Sequence, residues 1–362
     1  MSFDLSLLRD SGISWLDASG PESGIVLSTR VRLARNLQGL PFTIRTQESD
    51  RATILEQVLG AGNASKHMGQ ATLYRLDELD TADRQLMHER HLVSKELAGL
   101  EGDRGLKTSA AVLTNGELGV MINEEDHLRL QCLRSGFALG EAYSELERLD
   151  ADLGAELPLA FHPEFGYLTS CPTNAGTGLR ASVLIHLPGL VLTKEIAKVL
   201  QGLSQVGLTF RGLYGEGSEV VGNFFQLSNQ TTLGKSEDEL LDHLGKIVRQ
   251  VIAYETQARE VLQRDAAMVI ADKVWRAYGL LRYARSLSFE ETMNLLSGVR
   301  LGVGLNLVTD LSVYTLNKLL VFTQPAHLEL FEGKALKAQD LSISRASYVR
   351  RELEADAARG SQ

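Results

Sequence analysis

The stretch from Ser170 to Ser182 has the composition of a loop that could hold an anion. Two glycines allow close approach of the backbone, hydroxyl and amide side chains surround them, and Arg180 adds a positive charge near the end. Cys171 lies at the beginning of the stretch. Taken alone, these residues are also typical of a glycine turn that leads into the apolar strand 183–185.

Arg30, Arg32 and Arg35 follow the short apolar run 25–27. In a strand, Arg30 and Arg32 would point to the same side, so that two guanidinium groups could contact one polyphosphate. A solvated edge strand is the alternative that this pattern leaves open.

The acidic run from Asn123 to Asp126 follows a predicted hairpin of strands 110–113 and 117–122, joined by an Asn-Gly turn. Adjacent carboxylates repel one another unless a cation faces them, so the run could be a metal site or a solvated loop. Arg129, a short way downstream, favours instead an alternation of anion and cation binding.

Together with a fourth stretch at 211–219, these motifs resemble, in the same order, those of the ATP:guanidino phosphotransferases, the phosphagen kinase superfamily. The resemblance is closest to its bacterial branch, the protein-arginine kinases. It runs from about Ile25 through Gly234 and continues more weakly to the C-terminal end. It implies an enzyme that uses ATP and Mg²⁺ to phosphorylate the guanidinium of arginine residues in proteins.

The resemblance also implies the catalytic residues. Glu125 and Glu216 would act as a pair, because carboxylates can orient the planar guanidinium and accept its proton as the N–P bond forms. Cys171 matches the reactive cysteine of the family and would tune the substrate guanidinium without being phosphorylated. Its alternative role is that of a small buried hydrophobic residue.

Arginines dominate the nucleotide-binding positions that the resemblance implies, since phosphoryl transfer needs concentrated positive charge around the phosphate oxygens. His91 is included because the Glu-Arg-His segment of the family, here 89–91, lies beside the nucleotide. No dedicated acidic cage for Mg²⁺ is evident, so the metal is expected to arrive on ATP. The predicted nucleotide-binding residues are Ser28, Thr29, Arg30, Val31, Arg32, His91, Arg129, Arg180, Ala181, Ser182, Val183, Leu184, Arg211, Gly212, Leu213, Tyr214, Gly215 and Glu216.

Composition limits the class of protein. The 362 residues are enough for two domains, and a net charge of -9 argues against a general nucleic-acid or anionic-membrane surface. Two cysteines cannot build a disulfide framework, which fits a reducing compartment. The N-terminus does not resemble a signal peptide, and no apolar run approaches the ~20 residues needed to span a bilayer. A cytoplasmic protein is expected.

The elements that must position these motifs are predicted to form an α+β fold. Strands and hairpins alternate with helices up to residue 235, which indicates an antiparallel sheet flanked by helices. An amphipathic helix is predicted over 131–157, and a capping box at Ser236 opens a long helix. Strand signals then disappear, so we predict a catalytic domain at 1–255 and an all-helical C-terminal domain at 256–362.

Other known nucleotide-binding and metal-binding motifs either lack their usual structural context or are missing from the sequence. Residues 176–181 fit the dinucleotide pattern G-x-G-x-x-A, but no buried strand precedes them. The catalytic motifs of eukaryotic-type protein kinases are missing from the sequence, as are H-E-x-x-H and paired C-x-x-C zinc motifs.

Three functions compete. Small-molecule guanidino kinases, such as a free-arginine kinase, resemble one another in carrying a helical domain before the Arg-x-Arg strand, whereas only 27 residues precede Ser28 here. This favours an open site that admits an arginine on a folded protein. An inactive adaptor would be expected to have lost the acids or arginines, and all are present. The resemblance further implies a homodimer and a link to the Clp protease machinery.

The C-terminal region departs from the family pattern. Protein-arginine kinases resemble one another in an R-D-x-x-R-A motif that forms a phosphoarginine pocket, but residues 341–346 read Leu-Ser-Ile-Ser-Arg-Ala. Without the first arginine and the aspartate, we expect weak phosphoarginine binding at Arg345 and Ala346. Alternatively, Arg345 joins an exposed charged helix face with Arg350 and Arg351.

Overall fold

The computed structural model describes residues 13–69, 71–101, 105–212 and 221–360. The strands of this part of the chain are Val26–Arg35 (β1), Thr72–Arg75 (β2), Ala111–Thr114 (β3), Leu118–Ile122 (β4), Leu128–Ser135 (β5), Phe161–His162 (β6), Gly166–Tyr167 (β7), Leu179–His186 (β8), Leu208–Gly212 (β9) and Phe224–Asn229 (β10). Its α-helices are Glu48–Ala64 (α1), Thr81–Glu89 (α2), Leu139–Glu156 (α3), Pro188–Leu192 (α4), Ile196–Gln205 (α5), Glu237–Asp265 (α6), Ala267–Tyr283 (α7), Phe289–Gly304 (α8), Val313–Phe322 (α9), Pro325–Glu332 (α10) and Ala338–Gly360 (α11).

Eight of these strands form one sheet in the order β2-β3-β4-β5-β1-β8-β10-β9, and every neighbouring pair is antiparallel. The predicted antiparallel sheet is confirmed. The central strand is β1, in which Arg30 pairs with Leu133 of β5 and with Ser182 of β8.

The prediction of a helix over 131–157 is wrong in its first part. Residues 128–135 form β5, and the helix begins at Leu139. The apolar residues Leu128, Leu130 and Cys132 recur with period two and are fully buried, which is the pattern of a strand. Gly136, at a φ of 64°, separates the strand from the helix.

The two faces of the sheet differ in chemistry because side chains alternate along each strand. One face is apolar, and its residues Val31, Leu130 and Val183 lie in the main hydrophobic core with residues from α1, α3 and α6. The antiparallel register places polar residues together on the opposite face, with Arg32 beside Arg180. This opposite face, called the arginine face below, carries Arg30, Arg32, Gln131, Arg180, Arg211 and Gln226.

The long helix α6 begins at the predicted capping box, where Ser236 and Glu239 exchange side-chain-to-backbone hydrogen bonds. It continues without interruption to Asp265. The predicted domain boundary at residue 255 therefore lies within a helix, and the division into 1–255 and 256–362 stays a prediction.

Helices α7 to α11 build a second core that also includes Leu184 and Phe224 of the sheet. The N-terminal segment joins them, since Asn317 donates a hydrogen bond of 3.0 Å to the carbonyl of Leu16. The helical C-terminal region predicted from the sequence is confirmed. Within the described ranges, none of the helices combines the length and apolar character that a membrane span requires.

Candidate active site

A cavity of about 400 Å³ lies over the arginine face of the sheet. Four stretches that are far apart in the sequence meet there, together with the segment that follows α2. Predicted site residues that line the cavity are Arg30, Arg32, His91, Glu125, Arg129, Cys171, Arg180 and Arg211.

The arginines create a strongly positive cavity. Burial, together with the nearby charges of Arg129 and Arg180, lowers the pKa of Arg30 to about 10. The pKa of Arg32 is lowered well below its ordinary value for the same reasons, with Arg30 as an additional neighbour. Among the described residues, the buried Nε atom of Arg32 has no hydrogen-bond partner. Such a cluster suits an anionic ligand that brings several oxygens.

Glu124 and Arg129 form a buried ion pair. The Oε1 atom of Glu124 lies 2.5 Å from Nη1 of Arg129, and the glutamate side chain is only 1% exposed. Burial by itself would raise the pKa of Glu124, but Arg129 and hydrogen bonds from Ser94 and the backbone of Glu125 outweigh it, so the pKa lies below its ordinary value. Glu124 therefore stays ionised and orients Arg129.

Glu125 has a different environment from its neighbour. Its Oε2 atom accepts a hydrogen bond of 3.3 Å from Asn174. Burial raises the pKa of Glu125, and Arg129 lowers it. The negative charges of Glu124, Asp126 and Glu96 also raise it, so the net shift is upward. A carboxylate of raised basicity at the cavity wall is suited to accept a proton from a bound cation.

Asp126 connects the acidic run to the loop 170–182. Its Oδ1 atom accepts hydrogen bonds of 2.7 Å from Asn36 Nδ2 and 2.6 Å from the backbone N–H of Ser170. Each acid of the run thus has a protein partner, and the run is neither a solvated loop nor a cluster of converging carboxylates. In the described part of the chain, no group of three or more His, Cys, Asp or Glu side chains could hold a metal ion.

The glycines of the loop 170–182 approach the protein's own backbone and not the cavity. Gly178 has a φ of 66°, and a Cβ atom there would lie 2.6 Å from the carbonyl oxygen of Ala34. The loop contributes Cys171, Thr173 and Asn174 to the cavity wall, with the sulfur of Cys171 lying 3.0 Å from Oγ1 of Thr173. The glycines thus belong to the turn into β8, while polar residues of the loop line the cavity.

Family models match most of the chain. Residues 53–258 match the ATP:guanido phosphotransferase, C-terminal catalytic domain, and residues 267–362 match the Protein-arginine kinase McsB C-terminal domain. A protein-arginine kinase of Pelotomaculum thermopropionicum is 46% identical over 342 residues, which cover 93% of this chain and 95% of the relative. The protein-arginine kinase of Bacillus subtilis is 41% identical over 348 residues, with coverage of 96% and 94%.

The chain belongs to the protein-arginine kinase family. The predicted class of enzyme, a kinase of the guanidino phosphotransferase superfamily, is confirmed.

Solved structures agree with this membership. A substrate-free duplicated taurocyamine kinase from Schistosoma mansoni has a TM-score of 0.58 and 26% identity, covering 74% of this chain and 39% of that one. A lombricine kinase has a TM-score of 0.57 and 25% identity, with coverage of 69% and 72%. The phosphagen-kinase fold predicted for this family member is confirmed.

Several predicted nucleotide-binding residues of this protein-arginine kinase do not line the cavity. Val31, Ala181 and Val183 are buried in the core on the opposite face of the sheet, because alternate side chains of a strand point away from the arginine face. Thr29 likewise donates a hydrogen bond of 2.7 Å to the carbonyl of Gly136. These residues shape the strands that carry the arginines.

Three further predicted residues are buried close to the arginine face without lining the cavity. Ser28 is only 6% exposed, and Ser182 donates a hydrogen bond of 3.3 Å to the carbonyl of Arg30. Leu184 packs in the core of the C-terminal helices. Gly212 ends β9, while the predicted residues Leu213, Tyr214, Gly215 and Glu216 lie outside the described residues.

His91 lies at the cavity wall in a left-handed conformation, with a φ of 62°. Its ring packs against that of Trp15 in an edge-to-face arrangement at a centroid distance of 5.1 Å. Burial lowers the pKa of His91 to about 3, with Arg30 as the next cause, so the ring is neutral at physiological pH. A neutral ring is compatible with a contact to the uncharged part of a nucleotide.

Sequence reasoning missed some of the residues that line the cavity. Gln226 accepts a hydrogen bond of 3.4 Å from Arg30, and its signal is a polar residue between the apolar residues Phe225 and Leu227 of β10. Glu96 follows His91 in a segment without strong periodicity, and Gln324 comes from the C-terminal region. Neither of these two has a local sequence signal.

Proposed function

We propose that this kinase transfers the γ-phosphoryl group of ATP to the guanidinium of arginine residues in proteins. The observation that carries the proposal is the meeting, in one cavity, of a cluster of arginines with the basic carboxylate of Glu125. The arginines suit a polyphosphate, and the carboxylate of Glu125 suits a guanidinium.

The arginines would bind the phosphates of ATP. Arg30 and Arg32 project from the same face of β1, and Arg129, Arg180 and Arg211 come from β5, β8 and β9. Their rigid strands preorganise the positive charge, so little reorganisation is needed as charge moves onto the phosphoryl oxygens. The repulsion from Arg129 and Arg180, which adds to burial in lowering the pKa of Arg30, would be relieved by the bound anion.

Mg²⁺ would accompany the nucleotide and neutralise part of its phosphate charge. The unpartnered Nε of Arg32 and the positive character of the cavity fit a magnesium-bound polyphosphate better than a free cation.

Glu125 would orient the acceptor guanidinium and take its proton. A guanidinium is a poor nucleophile because its pKa is above about 12, so transfer needs a base that is held in place. Asn174 fixes one oxygen of Glu125, and the raised pKa makes this carboxylate a better base than its neighbour Glu124. Glu216 would be the second carboxylate, by resemblance to the family.

Cys171 would contact the same guanidinium. Its half-buried sulfur lines the cavity beside Thr173, and both residues precede Asn174 in the loop. A thiolate at this position would stabilise the cationic acceptor by charge, and no covalent intermediate is needed.

A protein acceptor is supported by the relatives. Protein-arginine kinases share 41–46% identity over nearly the whole chain, whereas the small-molecule guanidino kinases are 25–26% identical. A homodimer, a link to the Clp protease machinery and a cytoplasmic location belong to the same proposal. The two cysteines are both unpaired, which is in line with a reducing compartment.

The proposal is tested by incubating the protein with ATP and Mg²⁺ and either free L-arginine or an arginine-containing protein such as casein. Mass spectrometry would then detect acid-labile phosphate on arginine. We expect modification of the protein, and none in a matched acceptor whose arginines are replaced by lysine. Modification of free arginine alone would replace the proposal by that of a small-molecule guanidino kinase.

A further inference from the structure

We infer that Gln324 binds the nucleoside portion of ATP and that Glu89 is a positioning residue that holds Gln324 at the cavity. The inference rests on the proposed function, since it assumes that the cavity binds ATP. It assigns part of the nucleotide site to the C-terminal helical region.

Gln324 lines the cavity although it belongs to the connection between α9 and α10. The residue is only 7% exposed and comes directly before Pro325, the first residue of α10. A glutamine amide offers both donors and an acceptor without net charge. It therefore suits an uncharged base or ribose better than the phosphates, which the arginines attract.

Glu89 joins this connection to the predicted nucleotide-binding segment 89–91. The carboxylate is buried, and it accepts hydrogen bonds from the backbone N–H groups of Ala326 and His327 at 3.1 and 3.2 Å. Its Oε2 atom also lies 2.9 Å from Nδ1 of His327. Losing any of these three contacts would cost free energy, because part of the buried carboxylate would then have no hydrogen-bond donor.

The neighbouring residue Arg90 strengthens the same junction. Its guanidinium carbon lies 5.6 Å from the ring centroid of Phe322, the last residue of α9. Because Glu89, Arg90 and His91 are consecutive, the segment that places His91 at the cavity also holds both sides of Gln324.

Arg345 holds the connection from the opposite side. Its Nε atom donates a hydrogen bond of 2.8 Å to the carbonyl of Thr323, and its Nη1 atom donates one of 3.0 Å to that of Leu287. The backbone is thus bonded immediately before Gln324 by Arg345 and two residues after it by Glu89. A residue held in this way loses little conformational freedom when it binds a ligand.

The test compares Gln324→Leu, an apolar variant of similar size, with the wild-type kinase. We expect the KM for ATP to rise about fivefold, the usual effect of one lost neutral hydrogen bond, with kcat at saturating ATP within about twofold. The matched control is Gln263→Leu, the same change at an exposed position of α6 that does not line the cavity, and it should keep the wild-type KM. An unchanged KM in Gln324→Leu would overturn the inference.

GTP as the phosphoryl donor distinguishes the base from the ribose. A loss of discrimination between ATP and GTP in Gln324→Leu assigns the contact to adenine, while an equal rise of both KM values assigns it to the ribose. Both results support a nucleoside contact. If the wild-type protein fails to bind ATP in calorimetry, the proposed function itself fails. If wild type and Gln324→Leu bind ATP equally well, only the inference about Gln324 fails.

The role of Glu89 is tested by Glu89→Gln, alone and combined with Gln324→Leu. If Glu89 acts by positioning Gln324, the double variant should show no higher KM for ATP than the more affected single variant. The single change Glu89→Gln should itself raise the KM for ATP, so a purely structural role would show either as effects of the two changes that multiply or as a wild-type KM in the folded Glu89→Gln protein. Either of these last two results would remove Glu89 from the inference.

Discussion

At the scale of single residues, Glu124 and Glu125 are adjacent acids whose pKa values are shifted in opposite directions. The pKa of Glu124 lies below its ordinary value because Arg129 and hydrogen bonds outweigh its burial, whereas burial and neighbouring acids raise the pKa of Glu125. The first carboxylate remains a fixed charge that orients an arginine. The second, with its raised pKa, is the carboxylate that we propose as the base for the substrate guanidinium.

We predict that Glu125→Gln lowers phosphoryl transfer by about 10²–10⁴-fold, the usual contribution of a general base, while ATP affinity stays near wild type. Calorimetry with ATP and a turnover assay would measure the two effects. The matched variant Glu124→Gln should instead bind ATP more weakly, because Arg129 loses its buried partner. Wild-type turnover in Glu125→Gln would exclude it as the base.

The pH dependence of transfer should report the environment of Glu125. The base works only when ionised, so activity falls as pH decreases through its pKa. The negative charge of Glu96 contributes to raising that pKa, so Glu96→Gln should lower it and move the acid limb of the kcat/KM profile to lower pH. Glu260→Gln, at an exposed position of α6, is the control and should leave the limb in place. An unmoved limb in Glu96→Gln would contradict the assignment.

The arginine face shows how secondary structure elements create the site. β1 lies between β5 and β8, and the register of these pairs brings arginines from separate motifs to one side. The turn before β8 is held close to β1, since the backbone N–H of Ala34 donates a hydrogen bond of 3.0 Å to the carbonyl of Gly178. The geometry of the cavity wall therefore depends on a glycine that does not itself line the cavity.

We predict that Gly178→Ala reduces the free energy of unfolding by about 3 kcal/mol. The positive φ costs roughly 1–2 kcal/mol for a residue with a Cβ atom, and the clash with the backbone of Ala34 adds to it. Gly39→Ala is the matched control, because Gly39 has a φ of 84° but an added Cβ would meet nothing within 4 Å. Urea denaturation of both variants measures the difference, and equal losses would show that the close approach costs little.

The C-terminal helices act at the scale of the whole molecule, because they share a core with the sheet and contribute to the cavity. Arg345 takes part in this packing. It is 3% exposed and donates hydrogen bonds to two backbone carbonyls, so the expected alternative of an exposed charged face is wrong for this residue. Its guanidinium is bonded within the protein and is not displayed to a ligand.

We therefore predict that phosphoarginine activates the kinase weakly or not at all. The changes Leu341→Arg and Ser342→Asp, made together, should increase phosphoarginine binding, because they restore the charged residues of the family motif near Arg345. Calorimetric titration and the kinase rate would be followed for both proteins. Strong, saturable activation of the unmodified protein would show that Arg345 can leave its carbonyl partners to bind the phosphate.

Local patterns in the sequence were sufficient for the hairpin of β3 and β4, the capped helix α6 and the helical C-terminal region, but not for β5. Alternation, helical periodicity and capping depend on residues within a few positions of each other, so they can be read along the chain. The error at 131–157 arose where a strand and a helix follow one another closely. The order of the four motifs was likewise sufficient to indicate the guanidino phosphotransferase family.

Only the tertiary structure decided which side chains share the cavity. Strand pleating directs Arg30 and Arg32 toward it and Val31 away from it, although all three belong to one motif. The contact between Glu89 and Ala326 joins positions 237 residues apart, and no local pattern encodes such a pairing. Burial then separates the pKa values of Glu124 and Glu125, because the energy of a charge depends on surroundings that exist only once the chain has folded.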